Sequence, residues 1–414
     1  MQFEPKEDEV YFCEDEGYGI VYSHEKKSLY KISSEQAKKL KEIKKRQSII
    51  KSDSREIVNF DNSNLKKIEL IMSTACNLKC DYCFANGGNY NLKIRNIKID
   101  VLDKTIELIE KSKNVNEIVF FGGEPTLAEK EIEYLCENLR RKGLFPKYKI
   151  VTNLYQLSNQ LIDIIYKYNI IITISLDGPE WINNKRRKAR DGGNVYQRVV
   201  NNVERLNNKG INIKAIEATY MTTHKEAGFS KEELKDFFKD NFKIDDIYIV
   251  DELNEKENEV ESEIGNLFQK NNLESCDLLF LSSYFQENKK LYGICNSGIS
   301  SICIDPQGYI YPCHLYINKN YSLGNILNGK IKSFKEINWI REKLGCYNCS
   351  ARYSCNICLA HCLISNTSLE DKCMKVKKEN SKLVYKMFRY LDTHNLQNLN
   401  KGENNGRDQI RSFE

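Results

Sequence analysis

Hydrophobic and polar positions change rhythm several times along the chain. Between residues 65 and 275, short apolar runs alternate with amphipathic stretches. The runs at Ile68–Met72, Glu117–Phe121, Tyr148–Thr152, Ile170–Leu176, Ile211–Tyr220 and Asp246–Val250 predict strands. Segments between them, such as Val101–Lys111 and Glu129–Arg141, predict helices. Six such β-α units imply an α/β core built on a parallel sheet. Right-handed crossovers would curl that sheet into a partial (β/α)6 barrel of TIM type, with functional residues at the C-terminal strand ends.

The flanks read differently. In residues 1–60, the stretch Tyr18–Tyr30 alternates and turns near His24–Lys27, which predicts a hairpin. Ser33 and Ser34 then precede EQAKKLKEIKK, a helix with a capping residue in place. The result is a small α+β unit, winged-helix-like in layout, followed by a polar linker from Lys51 to Asn64. From 290 to 375 glycines, aromatics and cysteines crowd a stretch with little helical period, and such a region needs metal staples to fold. Residues 376–414 complete the chain. Across that boundary, Lys375–Asp392 predicts a last amphipathic helix, and Asn395–Glu414 is a polar tail.

Composition narrows the chemistry. The chain has 414 residues, 41% hydrophobic and 29% charged, as a globular protein does. Its 63 basic and 58 acidic residues leave a net charge of +5, too even a balance to predict a nucleic-acid or anionic-membrane partner. No apolar run approaches the ~20 residues of a membrane span, and the polar, acidic start Met1–Val10 is not that of a signal peptide. A cytoplasmic location is expected. The chain nevertheless contains 15 cysteines. With no secretion signal, metal explains them better than disulfides do.

Three cysteines, Cys76, Cys80 and Cys83, follow the first barrel strand with the spacing Cys-x-x-x-Cys-x-x-Cys. Three thiolates on one loop can bind three irons of a [4Fe–4S] cube and leave the fourth iron open to a ligand. A zinc knuckle is the bland alternative, and it lacks a fourth ligand because no His lies in the motif. Tyr82 and Phe84 would shield such a cluster or simply pack. After the second strand comes Gly122-Gly123-Glu124-Pro125, where glycines let the backbone approach a ligand and a carboxylate can pair with an ammonium. An ordinary turn would also accommodate these residues.

Together these motifs resemble the radical S-adenosylmethionine (SAM) superfamily. The resemblance implies that Cys76, Cys80 and Cys83 hold the SAM-binding cluster and that Gly122, Gly123 and Glu124 meet the methionine amino group. It places Asn153, Ser175 and Asp177 near the SAM ribose and methionine, and Arg187 on the SAM carboxylate. Leu154 departs from the family, which has Gly after the Asn. Arg186 beside Arg187 leaves open a plain surface-charge role. Glu217, Thr219 and Tyr220 end the fifth strand and are expected to face the cavity, with Glu217 and Tyr220 as catalytic candidates. The implied chemistry is reductive cleavage of SAM to a 5′-deoxyadenosyl radical.

The second cysteine field resembles the SPASM domain, an extension with two auxiliary clusters. The resemblance puts Cys346, Cys349, Cys355 and Cys373 on the outer cluster. It puts Cys295, Cys313 and one cysteine after Cys355 on the inner one. Cys358 is preferred, with Cys362, or an open iron for a substrate thiolate, as alternatives. Cys303 lies in a predicted strand and reads as core rather than ligand. The rival is a pair of zinc sites, but the gap between Cys349 and Cys355 is too short for the usual fingers. Three [4Fe–4S] clusters and SAM are therefore the expected cofactors.

The resemblance to this double architecture implies a peptide or protein substrate. Sulfatase maturases carry an acidic base after the cysteine that matches Cys313; here the residue is His314, either a base or a structural side chain beside the cluster. The N-terminal unit resembles in layout the leader-binding element of peptide maturases, whose edge strand can pair with an extended peptide. The expected function is thus maturation of a ribosomally made precursor peptide with a leader, forming thioether bonds from Cys sulfur. A flavodoxin or ferredoxin-type protein is the expected electron donor. The rivals are a sulfatase maturase, a carbon–carbon crosslinking enzyme and a non-enzymatic zinc or electron-transfer protein.

Overall fold

The computed structural model describes residues 9–15, 18–23, 28–39, 42, 62–252, 297–331, 357–358, 360–362 and 368–378. They belong to two compact units, one of residues 58–256 with 296–334 and the other of residues 1–57, 257–295 and 335–414.

In the second unit, β1 (Glu9–Asp15), β2 (Tyr18–Ser23) and β3 (Ser28–Ser33) form an antiparallel meander in that order. The hairpin predicted at Tyr18–Tyr30 is β2 paired with β3; its turn at 24–27 lies outside the described residues. A helical segment follows at 34–39. Ser33 Oγ accepts from the Gln36 amide at 3.2 Å, and Gln36 Oε1 accepts from the Ser33 amide at 2.9 Å. That reciprocal pair satisfies donors that the first helical turn leaves unpaired. Of the predicted helix Lys375–Asp392, only the part up to residue 378 is described, and it is helical.

The first unit is a ten-stranded sheet. Its six predicted strands are β4 (Lys67–Ser73), β5 (Glu117–Gly122), β6 (Lys147–Thr152), β7 (Ile171–Ser175), β8 (Ala215–Tyr220) and β9 (Asp246–Asp251). They pair in sequence order and in parallel. The fifth begins at Ala215, later than its predicted start at Ile211. Helices cover the outer face. Helix Ile99–Ser112 buries Val101, Leu102, Ile106 and Ile109, and helix Glu129–Arg141 buries Ile132, Leu135, Cys136 and Leu139. Each such apolar side chain contributes roughly 1.5–3 kcal/mol of burial.

The sheet does not stop at the first barrel strand, β4. β10 (Ser301–Ile304) joins β4 in parallel, and β11 (Tyr309–Tyr311), β12 (Gly324–Asn325) and β13 (Lys330–Ile331) extend it antiparallel. The start of the cysteine-rich region thus continues the barrel sheet. Cys303 lies in β10 and is fully buried.

Side chains alternate between faces with a period of two. Cα register places Cys303, Glu69, Val119 and Lys149 on one row of the inner face. Ser175, Glu217 and Tyr248 lie on another.

Candidate active site

The loop bearing Cys76, Cys80 and Cys83 leaves the C-terminal end of β4. Ser73 Oγ accepts from the Ala75 amide at 3.1 Å, and Thr74 Oγ1 bonds Lys93 O and the Arg95 amide, each at 2.9 Å. On its other side the loop pairs with residues 186–190. Lys79 N donates to Lys188 O at 2.8 Å, Arg190 N to Asn77 O at 3.0 Å, and Leu78 bridges Ala189. Arg190 Nε donates to Cys76 O at 2.9 Å. Backbone bonding on both sides fixes where the three sulfurs can go.

Cys76 Sγ accepts from the Leu78 amide at 3.4 Å and from Asn153 Nδ2 at 3.7 Å. Burial pushes the Cys76 thiol up to about 12 and that of Cys80 to about 11. Iron must displace those protons to bind. Among the described residues, no group of His, Cys, Asp and Glu side chains is placed to hold one metal ion. A cubane makes no such demand, since each thiolate ligates a different iron.

The Gly122–Glu124 turn lies against this loop. Gly122 has φ +146°, and a Cβ on Gly123 would come within 2.3 Å of Ala75 O. A Cβ on Gly88 would meet Cys76 Cβ at 2.7 Å. Glu124 is 1% exposed. Its Oε1 accepts from Thr152 Oγ1 at 2.5 Å and Thr126 N at 3.1 Å, and its Oε2 from Asn153 N at 2.8 Å. All of these donors are neutral, and burial raises the carboxyl above its ordinary range. A buried carboxylate without a cation is a costly arrangement. The ammonium of SAM would supply the missing charge, so these residues fit the expected ligand.

Asp177, fully buried after β7, is held otherwise. Oδ2 accepts from Tyr82 Oη at 2.5 Å and Arg187 Nε at 2.7 Å; Oδ1 accepts from Arg187 Nη2 at 3.1 Å and Thr219 N at 2.9 Å. Burial opposes the Arg187 charge, but the Asp177 carboxylate outweighs it and raises that guanidinium's pKa further. Asp177 therefore spends its oxygens on the protein, tying the loop of Cys76, Cys80 and Cys83, through Tyr82, to β8. Arg186 pairs with Asp81 at 2.6 Å and Glu252 at 2.9 Å.

The expectation that Glu217 and Tyr220 face one cavity is corrected by strand geometry. Glu217 and Thr219 share the inner face with Ser175, whereas Tyr220, an odd number of residues from both, points to the other side. There its hydroxyl donates to Phe229 O at 2.9 Å, and its ring stacks on buried His224 at 5.0 Å. His224 Nδ1 accepts from Met221 N at 3.1 Å, so Nε2 carries the proton and donates to Asp177 O at 2.6 Å.

His314 follows Cys313 and begins a short 3-10 turn, His314–Tyr316. Its Nδ1 lies 3.0 Å from Glu69 Oε2, and its ring stacks on Phe121 at 4.6 Å. Glu69 Oε1 also accepts from Lys67 Nζ at 3.1 Å. Burial alone would raise the Glu69 carboxyl, yet His314 and Lys67 bring it down to about 2. Sequence reasoning missed Glu69, although one acid inside the apolar run KIELIMS was a visible signal.

Of the expected auxiliary ligands, Cys295, Cys346, Cys349 and Cys355 lie outside the described residues. In the second unit, Cys358 Sγ accepts from the His361 amide at 3.4 Å, Cys362 is 5% exposed, and Cys373 is half-buried.

Residues 70–239 match the family model of the Radical SAM superfamily. The radical SAM cyclopropyl synthase TigE of Paramaledivibacter caminithermalis is 31% identical over 158 residues, 34% of this chain and 33% of TigE. A cysteine-type anaerobic sulfatase-maturating enzyme of Clostridium perfringens is 26% identical over 295 residues, 64% of this chain and 78% of that one. The solved structure of anSMEcpe with bound AdoMet superposes with TM-score 0.58 at 20% identity, covering 79% of this chain and 99% of that one. Streptococcus suis SuiB superposes with TM-score 0.50 at 17% identity, covering 87% and 97%. The two solved structures share the fold.

Proposed function

We propose, from the match of residues 70–239 to the Radical SAM superfamily model, that this chain is a peptide-modifying radical SAM enzyme that matures a ribosomally made precursor. The observation that carries the reading is the apposition of three thiols on the β4 loop with Glu124, a buried carboxylate bonded, among the described residues, only to neutral donors. Cys76, Cys80 and Cys83 would hold the [4Fe–4S] cluster, and Glu124 the SAM ammonium. When bound, these groups supply an electron and a 5′-deoxyadenosyl radical that abstracts hydrogen from substrate.

The protein's own contribution is positioning. Asn153 orients toward Cys76 Sγ and Asn77, and Arg187 is locked by Asp177 beside Tyr82. Ser175 and Glu217 line the inner face near the strand ends. His314, anchored on Glu69 and stacked on Phe121, would be a group to accept a substrate proton. A peptide substrate is supported by the similarity to a sulfatase-maturating enzyme and by the β1–β3 meander, whose outer strands can take up an extended leader. Thioether formation from a cysteine would use auxiliary clusters on Cys295, Cys313, Cys358 and on Cys346, Cys349, Cys355, Cys373.

The test is anaerobic reconstitution followed by reduction with dithionite. Release of 5′-deoxyadenosine, with iron near ~12 per chain for three full clusters, supports the reading; colourless zinc protein that leaves SAM intact overturns it. A candidate precursor peptide should lose two hydrogens per crosslink, and an aldehyde product would replace the thioether assignment.

A further inference from the structure

Residues 185–190 read Lys-Arg-Arg-Lys-Ala-Arg, five cations in six positions. The fold gives this run a specific seat. Its backbone pairs with the cluster loop through Lys79 N to Lys188 O, Asp81 N to Arg186 O and Arg190 N to Asn77 O, at 2.8, 3.3 and 3.0 Å. Two of the five charges are spent internally, Arg186 on Asp81 and Glu252, and Arg187 on Asp177. Lys185, Lys188 and Arg190 are exposed, as is Lys79 on the loop itself, and none of the four has an acidic partner among the described residues. Four unneutralised cations therefore rim the outer edge of the loop that carries Cys76, Cys80 and Cys83.

We propose that Lys79, Lys185, Lys188 and Arg190 form the docking face for an acidic one-electron carrier protein that reduces the cluster held by that loop. This rests on the radical SAM reading and adds the place where the electron enters. The carrier loses one electron and the cluster gains it; no atom or proton is transferred. Electrons need close approach: Lys79 is on the loop, Lys188 and Arg190 are its backbone partners, and Lys185 precedes a third partner, Arg186. A clustered charge of one sign steers an oppositely charged protein and speeds encounter in a salt-dependent way. A nucleic acid is disfavoured as occupant, because a net charge of +5 over the chain leaves little beyond this small rim.

The experiment uses the reconstituted full chain and a reduced acidic flavodoxin as probe. Bleaching of the cluster's visible absorbance is followed after anaerobic mixing, and carrier binding is measured separately by calorimetry. Reduction of the wild type should slow as salt is added. The double variant Lys185→Glu/Lys188→Glu should be reduced about tenfold or more slowly at low salt and bind the flavodoxin correspondingly less tightly. Dithionite should reduce both proteins alike, which shows that the variant folds and holds its cluster. Equal flavodoxin rates in the two proteins overturn the docking face while leaving the SAM reading intact. So does binding of a duplex oligonucleotide with none of the flavodoxin. Failure of dithionite to reduce a wild-type cluster removes the SAM reading and the docking face together.

Discussion

Glu69, in the middle of the first barrel strand, holds His314 at 3.0 Å across 245 residues of sequence. The pair joins the barrel to the segment after Cys313, and Lys67 at 3.1 Å keeps the carboxylate in place. Glu69 is thus a positioning residue for the imidazole. Glu69→Gln keeps the shape but gives up the charge, and should lower peptide product formation about tenfold to a hundredfold. Substrate-free SAM cleavage should be unchanged. Equal loss of both activities would show that Glu69 supports the fold rather than His314.

The same carboxylate predicts an acid limit to stability. Its folded pKa of about 2 lies below the ordinary value of 4.5. A depressed acid contributes stability in full above its unfolded pKa and loses it as pH falls toward the folded one. The wild type should therefore lose denaturant stability between pH 5 and 2 more steeply than Glu69→Gln, in which that linkage is gone. Parallel curves for the two proteins would remove the Glu69 contribution.

Asp177 and Arg187 form a buried fork, with Tyr82 completing it from between Cys80 and Cys83. Asp177→Asn leaves the guanidinium buried without its counter-charge, which costs roughly 3–5 kcal/mol. Tyr82→Phe removes one hydrogen bond to a charged acceptor and should cost about 1–3 kcal/mol. Chemical denaturation of the cluster-free protein measures both. A double variant less destabilised than the sum of the singles would show that the three side chains act as one network. If Asp177→Asn unfolds like the wild type, the fork does not contribute to holding the loop.

Much of the barrel was legible because the strands read as short runs rich in apolar residues, and the helices between them keep a clean amphipathic stripe. The strand at Glu117 and the helix at Glu129 follow directly from that pattern. Tyr220 was misread because a motif of adjacent residues conceals the period of two; Glu217 and Tyr220 are neighbours in sequence yet face opposite ways. The partners of Asp177 (Tyr82, Arg187 and Thr219) come from three distant segments, so no local window shows them. β10–β13 were assigned to a separate cysteine-rich region because sheet continuity is a tertiary fact that no local window contains. Leu154 shows the converse. A departure from the expected glycine was visible in sequence, and the backbone there adopts φ +50°, which costs a non-glycine residue energy.

The two faces of β8 give a prediction in which sequence neighbours behave differently. Glu217 is half-buried on the inner face, level with Ser175. Tyr220 is 8% exposed, packed on His224 and bonded to Phe229 O. Glu217→Gln should therefore alter turnover or the KM for SAM or peptide by about tenfold or more, with thermal stability near that of the wild type. Tyr220→Phe should do the reverse: it leaves an unpaired carbonyl at Phe229 and lowers stability by about 1–2 kcal/mol, while kcat and KM stay within a factor of about two. Steady-state kinetics and thermal unfolding on the same preparations separate the cases. A large kinetic defect in Tyr220→Phe without loss of stability would mean that its hydroxyl reaches the reacting groups, against the alternation of the strand.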